Sequence, residues 1–135
     1  MKKISKGWLP VLCLLVLCAA CSSSTSTSET ELAIQQFYDE LGAENYTSVL
    51  DMYTADVRQA LEISGGQVDQ GYIEWGQAET KMGKVDRIEI IEESTEGETT
   101  VVKYRVVYGD GSAVERSVKL TQEDGKWKLG YIDNA

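Results

Sequence analysis

The sequence predicts an α+β fold, helices first and then a four-stranded antiparallel meander. Three observations carry this. Apolar residues recur at helical spacing from Glu29 to about Met82, the period changes to two after Gly83, and glycine-containing turns separate the later apolar runs. The stretch from Glu29 to Ala135 is long enough for one small core and too short for two comfortable domains.

Ser28-Glu29-Thr30-Glu31 has the spacing of a capping box and predicts a helix start. Ile34, Phe37, Tyr38 and Leu41 then fall at i, i+3, i+4 and i+7, one apolar stripe, with Gly42 as the stop. Asn45 is placed to cap a second short helix carrying Val49, Leu50 and Tyr53. Thr54 is placed to open a third with Val57 and Leu61, broken by Ser64-Gly65-Gly66. A fourth helix runs from about Asp69 to Met82. Tyr72, Trp75 and Met82 share one of its faces, while Gly71 and Gly76 lower its propensity.

Ile88 and Ile90 begin the first strand, and Ser94-Thr95-Glu96-Gly97 is the expected turn. Val102, Tyr104, Val106 and Tyr108 alternate with Val101, Lys103, Arg105 and Val107, so one face is buried and the other mostly wet. Gly109-Asp110-Gly111 predicts a hairpin into Val114, Val118 and Leu120. Glu123-Asp124-Gly125 predicts a second, into Trp127, Leu129 and Tyr131 on the apolar side.

The first twenty residues are of another kind. Lys2, Lys3 and Lys6 precede an apolar run from Trp8 to Leu17, and the roughly 13 apolar-dominated residues fall short of the ~20 that span a bilayer as a helix. With Leu17-Cys18-Ala19-Ala20-Cys21, this segment resembles a bacterial lipoprotein signal peptide. The resemblance implies cleavage after Ala20, diacylglyceryl attachment to the Cys21 sulfur, and acyl chains that each contribute about 0.8 kcal/mol per buried methylene. An ordinary secretory signal cut at the same bond is the alternative, and it would leave Cys21 an unpaired thiol in an oxidising compartment. The expected organisation is a signal peptide over 1–20, a flexible Ser/Thr-rich spacer over 21–28 and one domain over 29–135. The expected location is the cell membrane, or, from Ser22, the outer membrane of a two-membrane host, with the domain facing outside the cytoplasm.

Composition narrows the function. Loss of the first twenty residues removes three lysines and no acids, leaving ten basic against 22 acidic side chains and a net charge of −12. Nucleic acid is a poor partner for such a domain, because phosphate contacts rely on clustered Lys and Arg. Histidine is absent from the sequence, which excludes Ser-His and Cys-His nucleophile systems and disfavours transition metals. No metal site, cofactor or catalytic residue is expected. Arg116 breaks pattern, since it alternates in register with Val114, Val118 and Leu120. Its guanidinium is expected either to hold an anion at the mouth of a cavity or to pair with one of the many acids while its stem packs on the sheet. Tyr38 and Tyr53 are the other candidate ligand contacts.

The Phe37-Tyr38 helix, the Asn45-Tyr46-Thr47-Ser48-Val49-Leu50 segment and the terminal hairpin through Glu123-Asp124-Gly125-Lys126-Trp127-Lys128-Leu129 together resemble the nuclear-transport-factor-2-like superfamily with its cystatin-like cone. More narrowly, they resemble its small bacterial lipoproteins of unassigned function. The resemblance implies N-terminal helices packed on a curved four-stranded antiparallel sheet around a cavity, and it transfers no catalytic residue. Three functions follow as expectations: non-covalent binding of an unknown small molecule or envelope protein, acid–base chemistry in a pocket, or a structural or regulatory domain that fills its own cavity.

Overall fold

The structure is a computed structural model that describes residues 27–64, 67–81 and 83–135. The signal segment, Ala20, Cys21, the spacer up to residue 26, the Gly65-Gly66 break and Met82 lie outside the described residues. Four helices, α1 (Glu29–Gly42), α2 (Tyr46–Asp51), α3 (Ala55–Leu61) and α4 (Gln70–Thr80), precede a four-stranded antiparallel sheet of β3 (Val85–Glu96), β4 (Thr99–Tyr108), β5 (Ala113–Glu123) and β6 (Lys126–Asn134) in that spatial order. Between α3 and α4, β1 (Glu62–Ile63) and β2 (Gln67–Val68) pair as a small hairpin that helical periodicity does not reveal. No helix among the described residues is long and apolar enough to cross a membrane.

Helix starts follow local chemistry only in part. The Ser28 Oγ accepts the Glu31 N–H at 3.1 Å and so caps α1. Asp69 likewise caps α4 by accepting from the Tyr72 N–H at 3.2 Å. Asn45 and Thr54 occupy the cap positions of α2 and α3 but make no capping side-chain bond. The Asn45 amide nitrogen donates to the Glu40 carboxylate, 2.8 Å away. Gly42 is the last residue of α1 and not its left-handed stop; that conformation falls on Glu44, at φ 56°.

The sheet departs from strict alternation at three places, and each departure is a bulge. Register slips occur at Asp86 and Ile91 in β3 and between the Leu129 and Ile132 pairs in β6. Ser94, Thr95 and Glu96, expected as a turn, are strand residues in regular register with Val101, Thr100 and Thr99, and the turn falls at Gly97-Glu98. In β6, Gly130 and Tyr131 together oppose Lys119, so Ile132 and not Tyr131 returns to the inner face opposite Val118. Tyr131 is therefore 56 % exposed. A β-carbon on Gly130 would lie 3.2 Å from the Lys119 carbonyl oxygen, a tight contact that the neighbouring backbone would have to relieve by a few tenths of an ångström. Bulges bend the strands that carry them, which gives the sheet a concave face for the helices.

That face is filled from α1. Ile34, Phe37, Tyr38 and Leu41 are buried against Ile88, Val102, Tyr104, Val106, Val118, Leu120 and Leu129. Each such aliphatic or phenyl side chain contributes roughly 1.5–3 kcal/mol on leaving water. Val107, on the outer face between Arg87 and Ala113, is also covered. At the far edge, Met52–Thr54 lies alongside β6 and exchanges the bonds Leu129 N–H to Met52 C=O (2.8 Å) and Thr54 N–H to Leu129 C=O (2.9 Å).

Gly76 permits the close approach of α4 to α1 and α2. A β-carbon there would meet Leu41 Cδ1 at 2.9 Å and Tyr46 Cε1 at 3.1 Å. Gly76→Val is expected to lose about 2–3 kcal/mol in urea unfolding through overpacking. Gly42→Ala, whose added carbon meets nothing within 4 Å, is expected to be neutral or to gain about 0.5 kcal/mol from helix propensity.

Candidate functional site

Two polar clusters sit inside the apolar layer. In the first, the Tyr38 and Tyr104 hydroxyls bond each other at 3.0 Å, and an ion pair between α4 and β5 lies against them. Arg116 Nη2 meets Glu79 Oε1 at 2.6 Å, with side-chain exposures of 17 % and 9 %. Arg116 Nη1 also donates to the Glu115 carbonyl at 3.1 Å. The second Glu79 oxygen and the Tyr108 hydroxyl are buried without a hydrogen-bond partner. In the second cluster, Tyr53 and Tyr72 bond hydroxyl to hydroxyl at 2.7 Å.

Phe37 joins the two. Its ring meets Tyr38 edge-on at 5.3 Å and Tyr53 at 5.5 Å, and the row continues to Tyr104 on one side and to Tyr72 and Trp75 on the other. These are favourable T-shaped geometries for ring quadrupoles, apart from the tilted Tyr72–Trp75 contact. The space left beside the second cluster, lined by Tyr53, Leu61, Tyr72, Trp75, Tyr131 and Ile132, is about 120 Å³. A surface cleft of about 530 Å³ opens beside the first, lined in part by Tyr38, Asp39, Thr80 and Lys84.

The sequence candidates are thus divided. Arg116 and Tyr38 come together around Glu79, while Tyr53 stands in the other cluster. The acid that pairs with Arg116 is Glu79, a residue the sequence did not single out, and it is 8 % exposed. Its position was readable, since Glu79 follows Tyr72 by seven residues and Trp75 by four, on the buried face of the same helix. Among the described residues no group of three acidic, histidine or cysteine side chains could hold a metal ion.

Burial sets the electrostatics. Desolvation, followed by the neighbouring Glu79 charge, pushes Tyr108 up to about 12. Burial raises Tyr104 further and Tyr38 well above its ordinary value, and Tyr53 and Tyr72 rise for the same reason. These phenols stay protonated and neutral at any physiological pH and serve as hydrogen-bonding groups.

The arrangement defines a small α+β domain with a self-filled aromatic cone and a buried ion pair. The chain belongs to the family described as "Domain of unknown function (DUF4878)", which it matches over residues 19–130. No curated protein matches it. Its fold is similar to the solution structure of a SEC-C motif-containing protein from Rhodopseudomonas palustris, with TM-score 0.54, 10 % identity and 76 % of each chain covered. Similar structures also include a Campylobacter jejuni protein provisionally named an NTF2-like transpeptidase (TM-score 0.47, 19 % identity, 76 % of this chain and 97 % of that one). A de novo designed NTF2 fold protein gives TM-score 0.46 at 16 % identity, covering 76 % of this chain and 82 % of the design.

A stem packed on the sheet predicts a modest loss for Arg116→Ala, but here truncation also strands a buried carboxylate. The expected cost is about 3 kcal/mol in urea unfolding, with much of it recovered in Arg116→Met combined with Glu79→Leu. Tyr38, Tyr104 and Tyr108 hold their protons more tightly folded than unfolded. Their contribution is therefore complete below about pH 10 and is lost as the pH rises through 12. Absorbance of phenolate and loss of circular dichroism should accordingly rise together in one alkaline transition.

Proposed function

We propose that this chain is a membrane-anchored extracytoplasmic lipoprotein whose domain acts by non-covalent binding through its surface and performs no catalysis. The anchor is the lipid on Cys21, and the partner is an envelope protein. The filled interior argues against a small molecule held inside the cone and leaves the surface as the place of contact, and it is equally what a structural or regulatory domain that fills its own cavity would show. Phe37, Tyr38, Tyr53 and Tyr104 pack together in the cone, the pocket beside Tyr53 and Tyr72 is about 120 Å³, below the ~300 Å³ at which small-molecule sites begin, and the larger cleft of about 530 Å³ beside Tyr38 opens at the surface. The basic start, apolar run and Cys21 context support the anchor.

One observation favours a second reading, a pocket enzyme. Glu79 is an inward carboxylate with an unpartnered oxygen, in the cluster that contains Tyr38. Two features weigh against it. Arg116 neutralises the acid at 2.6 Å, and the hydroxyls of Tyr38 and Tyr104 are committed to each other.

Palmitate labelling of the wild type beside Cys21→Ser tests the anchor. Label is expected on the wild type alone, with Cys21→Ser released from the membrane fraction; equal labelling rejects the reading.

A further inference from the structure

We propose that the open edge of β6, from Gly130 to Asn134, is a strand-addition site for an extended, positively charged segment of a partner protein. This deepens the surface-binding reading and rests on it.

β6 is an end strand of the sheet, with β5 on one side. On its other side, Leu129 directs both its N–H and its C=O to Met52 and Thr54. Leu129 is therefore a residue that faces Leu120 without ladder bonds. Val118 lies two residues along β5 from Leu120 and Arg116 two further, so their partners Ile132 and Asn134 have the same orientation. The N–H and C=O groups of Ile132 and Asn134 consequently point to the side that Met52–Thr54 occupies at Leu129. The protein already adds one short segment of its own to this edge, in parallel, and the row continues past it.

Two features flank that row. On the inner side is the pocket of about 120 Å³ among Tyr53, Leu61, Tyr72, Trp75, Tyr131 and Ile132, the size of one aliphatic side chain. On the outer side a cleft of about 500 Å³ carries Asp56, Glu123 and Asp133 against the single ammonium of Lys119. Hydrogen bonds from Thr54 and the backbone hold the Asp56 carboxyl below its ordinary range, so it stays charged. Exposed Tyr131 stands between the two. Backbone bonds to a strand edge supply affinity, and pockets for alternate side chains supply selection. Here the selected pattern is one apolar anchor inward and a cation outward.

The test is a titration of the isotope-labelled full chain with a synthetic peptide of about six residues, a common strand length, alternating valine and lysine. Amide shifts are expected at Gly130–Asn134, with slowed hydrogen exchange at Ile132 and Asn134. Tyr131→Ser and Asp133→Lys, both exposed and outside the core, should each weaken binding about tenfold at an unchanged fold. A peptide with glutamate in place of lysine, or with N-methylated backbone nitrogens, should fail. Excess peptide that leaves residues 130–134 unperturbed overturns the proposal. So does perturbation that follows protein concentration alone, which would assign the edge to a second copy of the chain. The result is independent of palmitate labelling at Cys21, so failure here and failure of the anchor are separately readable.

Discussion

A sheet bent into a cone has to be filled, and here one helix does the filling. Phe37 sits at the centre of a row of rings that reaches Tyr104 in one direction and Trp75 in the other. Filling with phenols carries a cost, because a hydroxyl taken from water without a partner inside is destabilising. Two pairs avoid it reciprocally, Tyr38 with Tyr104 and Tyr53 with Tyr72. The placement of α4 follows, since Tyr72 must reach Tyr53 and Glu79 must reach Arg116, and Gly76 lets the helix come close enough for both. The surface binding proposed above starts from this filling, because a cone that holds its own side chains leaves little room inside.

Much of the fold was legible because burial periodicity is a local signal. The stripe Ile34, Phe37, Tyr38, Leu41 and the alternation from Val102 to Tyr108 both stand as the sequence spacing predicts. What was not legible is where alternation breaks. A bulge adds one residue to one strand, and only the partner strand reveals it. Tyr131 therefore reads as inward and lies outward, while Ser94-Thr95-Glu96 has turn-like composition and lies in a ladder because Val101, Thr100 and Thr99 pair with it. The cap at Asn45 failed because its side-chain oxygen accepts no backbone N–H of α2, while its amide nitrogen donates to Glu40.

The polar interior was half legible. Arg116 is conspicuous because a charged residue interrupts an apolar register, whereas Glu79 is marked only by its spacing from Tyr72 and Trp75 in a helix rich in polar residues. Seen as a pair they make each other reasonable, since either alone would be a buried charge of several kcal/mol and together they pin α4 to β5. Tyr108 shows the limit of sequence reasoning in another way. Its inward direction is evident from alternation, but that its hydroxyl lacks a partner beside Glu79 depends on a helix brought in from elsewhere in the chain.

The slip in β6 has a bearing on shape. With Gly130 removed, Leu129, Tyr131 and Ile132 would still stand opposite Leu120, Lys119 and Val118 in ordinary alternation, with Ile132 inward as before. The glycine is thus superfluous to the hydrophobic code of the strand and contributes curvature alone. A chain shortened by that one residue would keep every buried side chain on its proper side while flattening the wall that encloses them, so the depth of the bowl is written in residue number and not in residue type.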